Sequence, residues 1–214
     1  MLHHFLKTHG FGETSIHFHA DNCCGQNTNR YLMSYFMWRV LTSLHEEIKI
    51  SFLPVGHTKF APDWCFGLFK RHYRLCKIGC LDDIVQAVNQ SASPNIAQLV
   101  GTQDGTTVVP MYEWSSMFDE YTIKTALKGI TKMHHFHFSS SHPGKVFVKN
   151  NSSEAERSIN LLRQPWNTTS RDMPQEIILQ GLSLERRWYL FDKIREFCPE
   201  HVQDQVCPKP AQLR

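Results

Sequence analysis

Hydrophobic and polar positions along the chain switch between two periods, and each period predicts an element. Residues 2–9 fit a short helix that Gly10 and Gly12 bring to a stop, because glycine favours left-handed termination. Over 15–21 the pattern alternates. Ile16, Phe18 and Ala20 face one way, and His17, His19 and Asp21 face the other. That is a strand ending on a carboxylate. Cys23 to Asn27 is turn material, and 29–44 reads as a helix. Tyr31, Leu32, Met33, Tyr35, Phe36, Met37, Trp38, Val40 and Leu41 make it apolar nearly all round, which predicts a helix buried between layers. A second strand follows over 48–55 and ends at Gly56-His57-Thr58-Lys59. Pro62 suits the first turn of a third helix reaching about Cys76, and Asp63 lies in that turn, where the helix dipole favours a carboxylate. A strand–helix–strand unit of this length predicts a parallel pair with a right-handed crossover.

Downstream the pattern is mixed. A helix is expected over 81–89, a strand over 106–114 and a helix over 117–127. Strands are expected over 133–138 and 145–149, joined as a hairpin by Ser140-Ser141-His142-Pro143-Gly144. Residues 150–174 read as polar loop with a short helix near 158–162. Ser183 is expected to cap a last helix through Phe197, before a proline-broken tail.

Composition narrows the class. The 214 residues are 41% hydrophobic and 12% aromatic, enough for a packed core and too apolar for wholesale disorder. The net charge of +3 permits a nucleic-acid partner without demanding one. The longest apolar stretch, 31–44, is interrupted by Ser34, Arg39, Thr42 and Ser43 and is shorter than the roughly 20 residues of a membrane span. No membrane association is expected. The start has no signal-peptide pattern, and seven irregularly spaced cysteines fit reduced thiols, so the expectation is an intracellular protein. Among Cys76, Cys80, Cys198 and Cys207, only the first interval comes near zinc-ligand spacing, which favours buried thiols over a metal.

Two carboxylates carry the candidate chemistry. Asp21 closes the first strand and Asp63, 42 positions on, opens the helix after the second. In open α/β sheets sites form at the carboxyl ends of strands, and paired carboxylates suit Mg²⁺ or Mn²⁺. The competing structural reading makes Asp21 a turn cap and Asp63 a helix-start charge. His57 is a candidate to orient a phosphate or water, or a hydrogen-bonded structural histidine. Lys59, Lys70, Arg71, His72, Arg74 and Lys77 form a basic run that suits a nucleic-acid backbone or a solvated helix face. His135 and His137 share one strand face, where cross-strand packing with Phe147 is favoured over a metal.

The motifs Asp21-Asn22-Cys23-Cys24-Gly25-Gln26-Asn27-Thr28-Asn29-Arg30 and Gly56-His57-Thr58-Lys59-Phe60-Ala61-Pro62-Asp63 carry a resemblance. They are similar to Asp-Asn-Cys-Gly-Gly-Gln-Asn-Lys-Asn and Gly-His-Thr-Lys-Phe-x-x-Asp, the pattern of an uncharacterised domain family found in transposon-derived proteins of animal genomes. The likeness continues at Lys128-Gly129-Ile130, His135-Phe136-His137-Phe138, Pro143-Gly144-Lys145-Val146 and Trp188-Tyr189-Leu190. It implies a ribonuclease-H-like transposase or nuclease that cuts or joins phosphodiesters with two Mg²⁺ ions. Asp21 and Asp63 would match its second and third acids as catalytic metal ligands, with His57 and Asn22 supporting them. Lys59, Lys70, Arg71 and Arg74 would contact nucleic acid.

On that likeness the fold class is α/β. Residues 1–80 would form a partial ribonuclease-H-like core, running helix-strand-helix-strand-helix, and 81–214 an α+β extension with a β-hairpin. The first three strands and the first acid of the pattern would precede this sequence, so the expectation is a truncated chain with weak Mg²⁺ binding and little activity. Its two-strand sheet would expose an edge open to a protein partner. Thr28 stands where the pattern has lysine, removing a phosphate contact. A nuclear setting follows from the resemblance alone, as no basic localisation run is present. The rival reading is a non-catalytic module binding nucleic acid or protein through the basic helix and the sheet edge.

Overall fold

The computed structural model describes residues 1–23, 25–53, 61–102, 104–166 and 173–212. They form a mixed α/β structure with a five-stranded mixed sheet and seven α-helices. The chain folds as two compact units, Met1–Thr58 with Val109–Ile177, and Lys59–Val108 with Ile178–Arg214.

The first unit holds α1 (Leu2–Thr8), β1 (Ser15–Ala20), α2 (Arg30–Leu41), β2 (Glu47–Phe52), α5 (Trp114–Tyr121), β3 (His135–Ser139), β4 (Lys145–Lys149) and β5 (Arg157–Asn160). The sheet order is β1-β2-β3-β4-β5, so sequence neighbours are also spatial neighbours. β1 and β2 are parallel, with Phe18 opposite Ile50, and α2 makes the crossover between them. β3 then runs antiparallel along β2, with Phe136 opposite Ile50, and β4 and β5 continue antiparallel.

This corrects the expected two-strand sheet. The hairpin β3–β4 and β5 complete the sheet on the β2 side, because β2 offers a row of unpaired peptide groups that an antiparallel hairpin satisfies. Among the described residues β1 pairs with β2 alone, so the outer edge of β1 is the open one on that side.

The alternation in sequence becomes two faces. Ile48, Ile50, Phe52, Phe136, Phe138, Val146 and Val148 are buried in one core with α2, and their neighbours along the strands point the other way. α2 is buried from Met33 to Leu41, as its all-round apolar pattern requires. Phe36 stacks on Phe18 of the sheet at 5.2 Å, while Trp38 meets Trp114 of α5 edge-on at 5.0 Å. One charge is carried inside. Arg39 is 5% exposed, and its guanidinium donates to Tyr35 Oη at 2.9 Å and His45 Nδ1 at 3.1 Å.

Three expected elements differ. The strand over 106–114 is replaced by isolated bridges, Gly101 with Thr107 and Tyr112 with Glu176, since Pro110 lacks the N–H a continuous ladder needs. The helix over 117–127 is α5, ended at Tyr121 where Thr122 Oγ1 donates back to the Phe118 carbonyl at 2.6 Å. The short helix near 158–162 is instead β5, whose pairing with β4 outweighs its weak local pattern.

The second unit holds α3 (Ala61–Tyr73), α4 (Leu81–Ser91), α6 (Leu184–Tyr189) and α7 (Gln203–Val206). α3 and α4 pack as a pair. A capping box joins Cys80 and Asp83 at the start of α4. The expected cap at Ser183 is present, accepting from the Arg186 N–H at 3.2 Å. The helical path then passes through a π-turn over Leu190–Ile194 and a 3₁₀ turn over Arg195–Phe197. Gly79 lies so close to Pro199 that a Cβ there would stand 3.1 Å from its Cγ. Among the described residues of this unit only Ala87, Val202, Cys207 and Pro210 are buried. Cys198 and Cys207 approach to 3.9 Å between sulfurs. No described helix is long and apolar enough to cross a membrane.

Candidate functional site

The polar motif after β1 folds into a loop held by its own side chains. Asp21 follows the last residue of β1 and is half-buried. Its Oδ1 accepts from the Cys23 N–H at 3.4 Å and from the Asn27 side-chain amide. Thr28, 2% exposed, donates its hydroxyl to Asn22 Oδ1 at 2.8 Å. Asn29 caps α2, accepting from the Leu32 N–H at 2.9 Å, and its amide reaches back to the Gln26 carbonyl at 2.7 Å. Gly25 takes φ +87°, a left-handed turn position that a side chain would strain. Arg30 donates to Asp119 of α5 and to Tyr31 Oη at 2.6 Å. Lys124 and Arg30 together hold the Asp119 carboxyl down to about 2.

The described residues of the motif thus form a hydrogen-bonded turn that presents one carboxylate. Among the described residues, the Cys23 N–H and the Asn27 amide both donate to Asp21 Oδ1. Mg²⁺ retains several waters and takes one or two carboxylates, so a half-buried carboxylate braced on one oxygen fits it. Asn22 contributes an amide oxygen beside it, already bonded to Thr28. Thr28 lies inside the loop, so its hydroxyl braces the turn, and the position is not one from which a side chain tracks a phosphate without the loop opening.

Asp63 occupies the first turn of α3 in the second unit, exposed and engaged by a partner. Lys70, Arg71 and Arg74 are exposed along and just past the last turn of α3, where cations also offset the helix dipole. His57 and Lys59 lie outside the described residues. Among the described residues no group of three or more His, Cys, Asp or Glu side chains is placed to share a metal ion.

Two features were not legible in the sequence. The first is a pocket of about 320 Å³ in the first unit, lined by His3, Gln26, Tyr31, Tyr35, Tyr112 and Trp114 among others. Arg39 donates to Tyr35 Oη, and His3 Nδ1 lies 3.1 Å from the same hydroxyl. Burial, then the nearby Arg39 charge, lowers His3 to about 4. His45, accepting from Arg39, is lowered by the same two causes in the same order. The second is the uncovered face of the sheet, where histidines of β1 and β3 meet across β2. Ser51 Oγ lies 2.9 Å from His17 Nε2 and 2.9 Å from His135 Nδ1. Strand alternation put these histidines on one face, but nothing local indicated that β3 would lie beside β2.

A family model described as Domain of unknown function (DUF7869) matches residues 1–156, which takes in α1 through β4. No curated protein and no solved structure matches the chain.

Proposed function

The chain belongs to this family of domains of unknown function, and on that premise we propose that it is a transposase-derived, ribonuclease-H-like domain that holds a divalent metal against a nucleic-acid backbone. The observation that carries the reading is Asp21, half-buried and braced, immediately past the carboxyl end of a strand that runs parallel to its neighbour through a helical crossover. Sites in such sheets form at that end. Support for Asp63 comes from its motif and its place in the first turn of α3.

Asp21 would hold Mg²⁺, with Asp63 an expectation of the motif alone, and the ion would supply charge to a phosphodiester oxygen. Asn27 and the Cys23 N–H hold the Asp21 carboxylate in place, and Lys70, Arg71 and Arg74 would attract the phosphate backbone. A single braced carboxylate holds metal weakly, so the expected hydrolytic activity is little or none. A nicking assay on supercoiled DNA with Mg²⁺ or Mn²⁺ tests this. Background-level nicking is expected, and robust nicking that disappears in Asp21→Asn/Asp63→Asn would overturn the inactive reading.

The second reading is a non-catalytic module that binds nucleic acid or protein. The exposed Lys70, Arg71 and Arg74 and the open edge of β1 favour it. It predicts salt-dependent binding that is indifferent to metal and to Asp21→Asn.

A further inference from the structure

The uncovered face of the sheet carries a composition unlike an ordinary solvated surface. β1 contributes His17 and His19, β2 Lys49 and Ser51, β3 His135 and His137, and β4 Phe147 with Lys145 and Lys149 on either side. The register aligns His17, Lys49, His137 and Phe147 in one row across four strands. His137 and Phe147 lie 5.8 Å apart between ring centroids, tilted by 37°, and His142 of the turn meets Phe147 at 5.0 Å. His17 and His19 lie 4.4 Å apart on β1. A depression of about 230 Å³ opens between these rings and reaches Ser152 and Glu156.

The charges are arranged to be recruited. Glu47 is already engaged by Ser15 at 3.0 Å, by Lys49 at 3.0 Å and by His137 at 2.9 Å. Lys149 reaches Glu156 only at 3.7 Å, and Lys145 is exposed. Lysines thus stand beside partly buried rings, Lys49 and Lys149 each within 4 Å of one carboxylate and Lys145 exposed.

We propose that this sheet face is a binding platform for single-stranded nucleic acid, with bases stacked on Phe147 and the His137 and His17 rings and phosphates held by Lys49, Lys145 and Lys149. Rings that line a shallow depression suit unstacked bases, whose π-surfaces a duplex keeps buried, and cations spaced along strands suit a backbone of phosphates. The proposal stands on the sheet alone and does not depend on the metal site at Asp21.

The test is fluorescence anisotropy of the full chain with labelled 15-mers of oligo(dT) and oligo(U), in EDTA so that metal plays no part. Saturable binding of at least one 15-mer is expected, stronger than for a duplex of the same length. Phe147→Leu should weaken it at least fivefold and Phe147→Tyr should restore it. Lys49→Ala/Lys149→Ala should flatten the slope of log affinity against log salt by about 1.4, at about 0.7 per lost phosphate contact on a single strand. The two oligomers separate DNA from RNA as the source of the strand. Binding unchanged in Phe147→Leu, or equal binding of duplex or of polyglutamate, would overturn the proposal, the last by showing a plain polyanion or acidic-peptide surface. A melting curve matching the wild type certifies that each variant is folded.

Discussion

At the residue scale, the polar loop after β1 explains itself by hydrogen bonds more than by chemistry. Asn29 is the clearest case. Its side chain closes the first turn of α2 and also ties down the Gln26 carbonyl. Asn29→Ala is expected to cost about 1 kcal/mol, measured by urea denaturation, with Asn29→Asp recovering most of it through the cap alone. His3 gives a pH signature. Its folded pKa of about 4 lies below the ordinary 6.5, so the unfolded chain takes up the proton first. Stability is therefore full above about pH 6.5 and falls as pH drops toward 4. Allowing for the partly exposed ring, the loss is about 1–2 kcal/mol. Comparing stabilities at pH 7 and 4.5, His3→Phe should show less of this fall than the wild type. An identical fall would remove His3 as its source.

At the element scale, legibility followed locality. The alternation of Ile16, Phe18 and Ala20 gave β1, and the all-round apolar run gave α2 as a buried layer, because burial on these faces is set by period. The Ser140 to Gly144 turn was legible for its glycine and proline. Gly144 adopts φ +77°, and a Cβ there would stand 2.5 Å from Leu162 Cδ1. Gly144→Ala should thus destabilise by about 1–3 kcal/mol, seen as a lowered melting temperature, and a neutral result would contradict the hairpin geometry. β5 was not legible. Arg157, Ser158 and Asn160 are exposed, and only pairing with β4, through contacts such as Ile159 opposite Val146, makes them a strand. The sheet's completion by β3 was hidden for the same reason, since strand partners are chosen by edges and not by periods.

At the scale of the whole molecule, the two units differ in how they are held. The first has a continuous core from Met33 through Phe138 to Leu161, whereas the described part of the second buries few side chains and leaves Trp64, Phe66 and Leu75 exposed. Hydrogen exchange should find the slowest amides in β2, β3 and α2, and faster exchange throughout α3 and α4. Equal protection in both units would contradict this division of stability. Of the candidate site, the strand-end position of Asp21 was legible from alternation. The bracing that fixes its carboxylate was not, because Asn27 and Thr28 act through a turn whose shape depends on Gly25. The most direct test of the metal reading is a calorimetric Mn²⁺ titration of the full chain and its Asp21→Asn and Asp63→Asn variants. Weak, saturable binding that Asp21→Asn reduces at least tenfold is the predicted result, and binding indifferent to Asp21 would contradict it.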